Sequence, residues 1–190
     1  MRVIAGKFRS RPLAAFPGAG IRPTSDRLRE TLFDVLTASR HLAGAIWLDL
    51  FAGTGAVGIE ALSRGARQVY FVEASRPAAA LIRKNLESLG VAESARVLIS
   101  KALPALHRLG ALTDRPSLDF CYIDPPYKME EQYGSVMQAL AESDLLAPQA
   151  IVIAEHSKHF DLPERIAKKL IRYRRLEQGD AVLSFYQQHS

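Results

Sequence analysis

Two short stretches of this chain hold residue types at spacings that chemistry uses. The first is Gly53-Thr54-Gly55-Ala56-Val57-Gly58, a G-x-G-x-x-G that directly follows an apolar run and opens a helical pattern. Glycines at such a point let the backbone turn sharply and approach a ligand with no Cβ in the way. Glu73 lies twenty residues beyond Gly53, at the end of the next apolar run, where an acid accepts hydrogen bonds from ribose hydroxyls. The same residues also read as a tight turn required for helix–sheet packing, with Glu73 as a surface acid. The second stretch is Asp124-Pro125-Pro126-Tyr127, again at the end of an apolar run. Its two prolines fix φ, remove backbone donors and leave carbonyls as acceptors. Open α/β sheets bind ligands at the carboxyl ends of their strands, so both stretches are expected to face one crevice.

Asp49-Leu50-Phe51-Ala52-Gly53-Thr54-Gly55 resembles motif I of the S-adenosyl-L-methionine-dependent methyltransferases. That cofactor has an amino-acid end and no pyrophosphate, so a carboxylate at Asp49 is tolerable, whereas a dinucleotide pyrophosphate would be repelled. The resemblance implies cofactor contacts from Asp49, Phe51, Gly53, Gly55 and Glu73. The Asp-Pro-Pro-Tyr run resembles the (Asp/Asn/Ser)-Pro-Pro-(Tyr/Phe) motif of enzymes that methylate planar exocyclic amines. The lone pair of such an amine is delocalised into the ring, which makes it a poor nucleophile. Acceptance of its N–H protons by Asp124 and the Pro125 carbonyl favours a pyramidal, more nucleophilic nitrogen. Pro126 completes the rigid turn, and Tyr127 stacks on the base.

These motifs need a scaffold. Apolar runs at 46–51, 68–72, 96–99, 118–123 and 150–155 alternate with helical patterns at 56–64, 77–89, 102–109 and 130–143. Such alternation means βαβ units and a parallel sheet covered on both faces. Residues 168–176 and 181–186 flank Glu177-Gln178-Gly179-Asp180, which reads as a hairpin turn. The expected fold is therefore α/β: a Rossmann-like sheet of seven strands, mostly parallel, with an antiparallel C-terminal hairpin. Ahead of it, residues 2–5 and 11–16 read as a short β-hairpin. A helix follows, with Thr24 or Ser25 as N-cap and an apolar face of Leu28, Leu32, Val35 and Leu36. Residues 1–43 are thus expected to form an N-terminal extension packed on a main domain of residues 44–190.

Composition narrows the function classes. A 190-residue chain with 48% hydrophobic content suits one globular domain. One cysteine excludes a disulfide scaffold and a thiolate zinc site, and the five histidines show no ligand spacing, so no metal is expected. No stretch of about 18 apolar residues exists and no signal-peptide core follows Met1, which points to the cytoplasm. Residues 1–40 carry a net charge of +5, residues 41–155 of −3 and residues 156–190 of +3. Basic ends around a mildly acidic middle suit a polyanion gripped at the ends while chemistry happens between them.

The run Arg22-Pro23-Thr24-Ser25-Asp26-Arg27-Leu28-Arg29-Glu30, with the basic Lys7-Phe8-Arg9-Ser10-Arg11 before it, joins the two motifs in resembling the RsmD family along nearly the whole chain. Those enzymes methylate a guanine N2 in bacterial small-subunit ribosomal RNA. The resemblance implies methyl transfer to guanine 966 of 16S rRNA within an assembled or partly assembled 30S subunit. By position it places Thr24 near the methionine end of the cofactor, and Lys7, Arg9, Arg11, Arg22 and Arg27 on the RNA side. The arginines also fit helix-face ion pairs, Asp26 with Arg29 or Arg27 with Glu30. Ser100-Lys101 stands where many methyltransferases carry an acid or amide near the adenine, which leaves that contact to Ser100 or to backbone groups. Other acceptors within the class are a DNA base amine and a protein glutamine. Outside it stand a non-catalytic RNA-binding assembly factor and an NAD-dependent oxidoreductase.

Overall fold

The computed structural model describes residues 1–16, 25–39, 42–126, 129 and 131–188. Arg22, Thr24 and Tyr127 lie outside the described residues. Among the described residues there are five α-helices and eight strands: α1 (Asp26–Ser39), β1 (Ile46–Leu50), α2 (Ala56–Ser63), β2 (Gln68–Glu73), α3 (Arg76–Leu89), β3 (Ala95–Ile99), α4 (Ala102–Gly110), β4 (Leu118–Ile123), α5 (Glu131–Glu142), β5 (Leu146–Ser157), β6 (Arg165–Ile166), β7 (Leu170–Gln178) and β8 (Ala181–Gln188). They build one sheet in the order β3-β2-β1-β4-β5-β8-β7-β6. β1 to β5 run parallel, and β8 inserts antiparallel between β5 and β7. The seven expected strands are all there. The eighth, β6, is a two-residue strand that turns into β7 through Ala167 and Lys168, both at positive φ, and is too short to leave a periodic signal.

Strand parity decides what each face sees, because successive side chains point to opposite sides of the sheet. Trp47, Phe120, Ile151 and Ile153 pack with α1, α2 and α3 on one face. Leu48, Leu50, Cys121, Ile123, Val152 and Ala154 pack with α4 and α5 on the other. Asp49, Tyr122 and Glu155 therefore share the parity of the first face. On α1 the buried stripe is Leu28, Arg29, Leu32, Phe33 and Leu36; Val35, expected in it, is only half-buried. The helix rotates toward Phe33 because that ring stacks on Trp47 at 5.4 Å, and Trp47 in turn on Phe120 at 5.1 Å.

The N-terminal hairpin is short: an antiparallel bridge of Arg2 with Pro12, with Val3, Ser10 and Leu13 N–H donating to the Arg11, Val3 and Met1 carbonyls at 3.0, 2.9 and 3.1 Å. The donors it leaves over go to α2. The Ile4 and Ala5 amides donate to the Glu60 carboxylate at 2.8 and 2.9 Å, Phe8 N–H donates to Ser63 Oγ at 3.0 Å, and Lys7 N–H to the Ser63 carbonyl at 2.7 Å. The extension is thus tied to α2 as well as to itself, and Val3, Phe8 and Leu13 are buried in the same core cluster as Trp47. Among the described residues, no helix is long and apolar enough to cross a membrane.

Helix α2 is buried along its whole length and lies close against β2. A Cβ built on Gly58 would stand 2.3 Å from Cε1 of Phe71, so the third glycine of the motif is required by packing. Gly58→Ala is expected to cost about 1–3 kcal/mol through overpacking. Chemical denaturation measures it, and an unchanged midpoint would contradict this close approach.

Candidate active site

The crevice begins where β1 ends. Phe51 adopts a left-handed conformation, φ 62°, which a non-glycine residue holds only when its surroundings impose it. Gly53 and Gly55 follow at φ 55° and 76°, so both use the backbone region that glycine enters without strain. The Gly53 amide donates to one Glu73 oxygen at 2.8 Å, and the Ser75 amide to the other at 2.7 Å. Glu73 therefore fixes the glycine loop and keeps remaining lone pairs toward the cavity that it lines. Asp49 lies buried beneath the loop and accepts from the Gly58 amide in the first turn of α2 at 2.9 Å. Burial pushes its carboxyl up to about 8; the Gly58 hydrogen bond opposes this, and the Glu73 charge adds to it.

β4 and β5 supply the second wall. Their last paired residues are Ile123 and Ala154, and one position further come Asp124 and Glu155 on adjacent strands. Burial raises the Asp124 carboxyl well above the usual carboxylate range, followed in effect by the charges of Glu155 and Asp49. The Tyr122 hydroxyl donates to Glu155 Oε2. Pro125 is buried and Pro126 exposed, so the turn leaves the sheet at the cavity rim.

One cavity of about 720 Å³ joins both walls. Asp49, Phe51, Gly53, Glu73, Asp124 and Pro125 all line it, as do Ser25 and Leu28 from the start of α1. Gly55 supports the loop from behind, against Ile82. The lining has four acids and, among the described residues, one cation, Lys101. Such a site suits a ligand that carries positive charge and disfavours a pyrophosphate. Ser100 also lines the cavity; its Oγ accepts from Arg108 at 3.0 Å.

The basic residues are distributed differently. Ser25 caps α1 through the Leu28 amide at 3.1 Å, and Arg27, in the same first turn, is exposed. Lys7 and Arg9 sit on the turn against Ser63, at the far end of α2 and about 12 Å of helix away from the glycine loop. Arg11 is exposed and donates to the Ser88 carbonyl at 3.1 Å. Arg29 is fully buried, with Asp26 at 3.0 Å and Glu60 at 3.8 Å, so within this run the expected ion pair of Asp26 with Arg29 is formed.

Sequence reasoning missed two groups. Glu155 ends an apolar strand next to the Asp124 strand, and that pairing was its one available signal. Asn85, buried on α3, accepts from Ala14 N–H at 2.8 Å and donates to the carbonyls of Ala14 at 3.1 Å and Thr54 at 3.4 Å. It thereby joins the extension to the glycine loop, and nothing in a helix of ordinary composition announces it. His156, taken as structural, is held between Ser184 Oγ and the Ser157 carbonyl, both at 2.9 Å.

Residues 1–187 match the model of the family described as conserved hypothetical protein 95. The chain is 36% identical over 166 residues to ribosomal RNA small subunit methyltransferase D of Escherichia coli K12, covering 86% of this chain and 78% of that one. YlbH of Bacillus subtilis is 35% identical over 166 residues, covering 87% and 88%. The solved structure of yhhF from Escherichia coli superposes with a TM-score of 0.85 at 31% identity, covering 100% of this chain and 98% of that one. The strand order, the glycine loop after β1 and the acid ending β2 form the Rossmann-like class I methyltransferase fold. With a match over nearly its full length and relatives above 30% identity, the chain belongs to the conserved hypothetical protein 95 family, the RsmD family that its motifs resemble.

Proposed function

We propose that this protein transfers a methyl group from S-adenosyl-L-methionine to the N2 amine of a guanine in small-subunit ribosomal RNA, guanine 966 of 16S rRNA, within an assembled or partly assembled 30S subunit. The observation that carries this reading is the single cavity in which an acid-fixed glycine loop faces Asp124-Pro125-Pro126. The cavity fits the cofactor in size, in its excess of carboxyls and in the Glu73 lone pairs offered to ribose hydroxyls. When bound, S-adenosyl-L-methionine supplies an activated sulfonium methyl, so the protein's task is mainly positioning and electrostatics.

Glu73 and the loop hold the nucleoside end, while Asp49 and Thr24 serve the methionine end. Asp124 and the Pro125 carbonyl accept the two amine hydrogens and orient the nitrogen lone pair toward the methyl. Asp124 would take the amine proton released on methylation, while the bound cofactor would supply the methyl and retain the S–CH₃ electron pair. Tyr127 stacks on a base that has left its helix. Residues 1–43 act as an RNA-holding extension, with Lys7, Arg9, Arg11, Arg22 and Arg27 toward phosphates, and binding weakens with salt.

The test is transfer from labelled S-adenosyl-L-methionine to small subunits from cells lacking this enzyme, with DNA and ribosome-free protein alongside. Label is expected in small-subunit RNA and in N2-methylguanosine after digestion. Label confined to DNA or protein would overturn the acceptor.

A further inference from the structure

Glu155 stands out among the titratable groups that the reaction above leaves unused. It follows the apolar run 150–154 of β5, is 9% exposed, and lines the crevice beside Asp124. A buried carboxylate is costly, and this one has a hydroxyl partner in Tyr122 and a place in the crevice wall. Strand parity sends Glu155 to the face that carries Asp49 and Tyr122. Register then sets Asp124 and Glu155 next to each other on strands whose backbones lie about 5 Å apart, and both line the crevice.

Exocyclic amines differ in what lies next to them. In guanine the N2 amine is flanked by N1–H, so its edge presents donors side by side. In adenine the N6 amine is flanked by a bare N1, an acceptor, which a carboxylate repels; the same holds at N3 of cytosine. A pair of carboxyls therefore matches guanine alone among these bases.

We propose that Glu155 is a specificity-determining residue that accepts the N1–H of the target guanine while Asp124 accepts from N2. This inference rests on the guanine-N2 reading above and adds the group that selects the base. Acceptance at N1–H also pushes electron density toward N2, which strengthens the nucleophile as Asp124 takes its proton. The mutual effect of the two carboxyls, visible in the raised proton affinity of Asp124, agrees with their closeness.

The test uses small subunits reconstituted on RNA with either guanine or 2-aminopurine at the methylated position. 2-Aminopurine keeps the amine but has a bare ring nitrogen in place of N1–H. Wild type is expected to prefer guanine roughly 10- to 100-fold in kcat/KM, the discrimination of one good base contact. Glu155→Gln presents an N–H in place of a lone pair, and is expected to shrink that ratio to within about threefold or to reverse it. Glu155→Ala should lose guanine activity without gaining on 2-aminopurine, with cofactor affinity and melting temperature read for every variant. A structural role would lower both substrates together and leave the ratio intact, which would overturn the assignment, as would a wild type indifferent to the analogue. Failure of wild type to methylate the guanine subunits would instead remove the guanine-N2 reading, and this inference with it.

Discussion

Asp124→Ala is expected to lower kcat for methyl transfer by about 10²- to 10⁴-fold, the range for removal of a positioned proton acceptor. Cofactor affinity should change little, because the loop, Asp49 and Glu73 remain as they are. Asp124 sits at the end of β4 where the rigid Pro125-Pro126 turn begins, with Glu155 beside it on β5. The carboxyl must be ionised to accept. Burial raises its proton affinity above the ordinary carboxylate range, with Glu155 and Asp49 raising it further. Activity of the wild type should therefore fall as pH drops through that raised value, at a higher pH than an exposed aspartate would give. Single-turnover rates across pH, together with cofactor titration, check both statements. Transfer near the wild-type rate in Asp124→Ala would remove this carboxylate from the reaction.

The largest expected loss of stability comes from a residue outside the crevice. Glu60 is fully buried and its two oxygens serve four partners: the amides of Ile4 and Ala5, the Arg64 guanidinium at 2.9 Å, and Arg29 at 3.8 Å. Arg29 is itself wholly buried and also donates to the Arg2 carbonyl at 2.6 Å. Glu60→Leu leaves a buried guanidinium short of its counter-charge and two amides short of their acceptor. The expected cost is about 3–5 kcal/mol, the range for breaking a buried pair from one side. Glu60→Gln, which keeps one carbonyl acceptor, should cost less. Denaturant unfolding measures the loss, and amide hydrogen exchange at Ile4 and Ala5 shows whether the extension loosens first. A cost below about 1 kcal/mol would mean that the network contributes little beyond geometry.

The alternation of apolar runs and helical patterns was legible because each run is local: strands β1 to β5 and helices α2 to α5 follow their own periodicity within a few residues. The glycine loop and the Asp-Pro-Pro turn were legible for a related reason. Backbone restrictions imposed by glycine and proline act at the residue that carries them, so Gly53, Gly55, Pro125 and Pro126 announce their conformation directly. Glu73 followed from its spacing to the loop, and it is found holding the Gly53 amide.

Other features exist only through pairing at long range. Glu60 reads as one acid in an apolar helix, and nothing local shows that the first residues of the chain bring two amides to it across more than fifty positions. The same holds for the arginines of α1. Arg27 and Arg29 are equivalent in the string, yet the rotation of the helix onto Trp47 buries Arg29 and leaves Arg27 exposed. Alternation in the first residues indicates a hairpin, and a short one forms, but only the fold shows that the Ile4, Ala5, Lys7 and Phe8 donors go to α2. Glu155 becomes part of the site only when β5 pairs with β4 in a register that sets it beside Asp124. Turns and amphipathic periods are decided by neighbours in the chain, whereas burial, charge pairing and strand register are decided by which surfaces meet. For this protein the first kind marked the glycine and proline stretches and the acids Asp49, Glu73 and Asp124, and the second kind brought Glu155 beside them and decided that Arg29 is buried with Glu60.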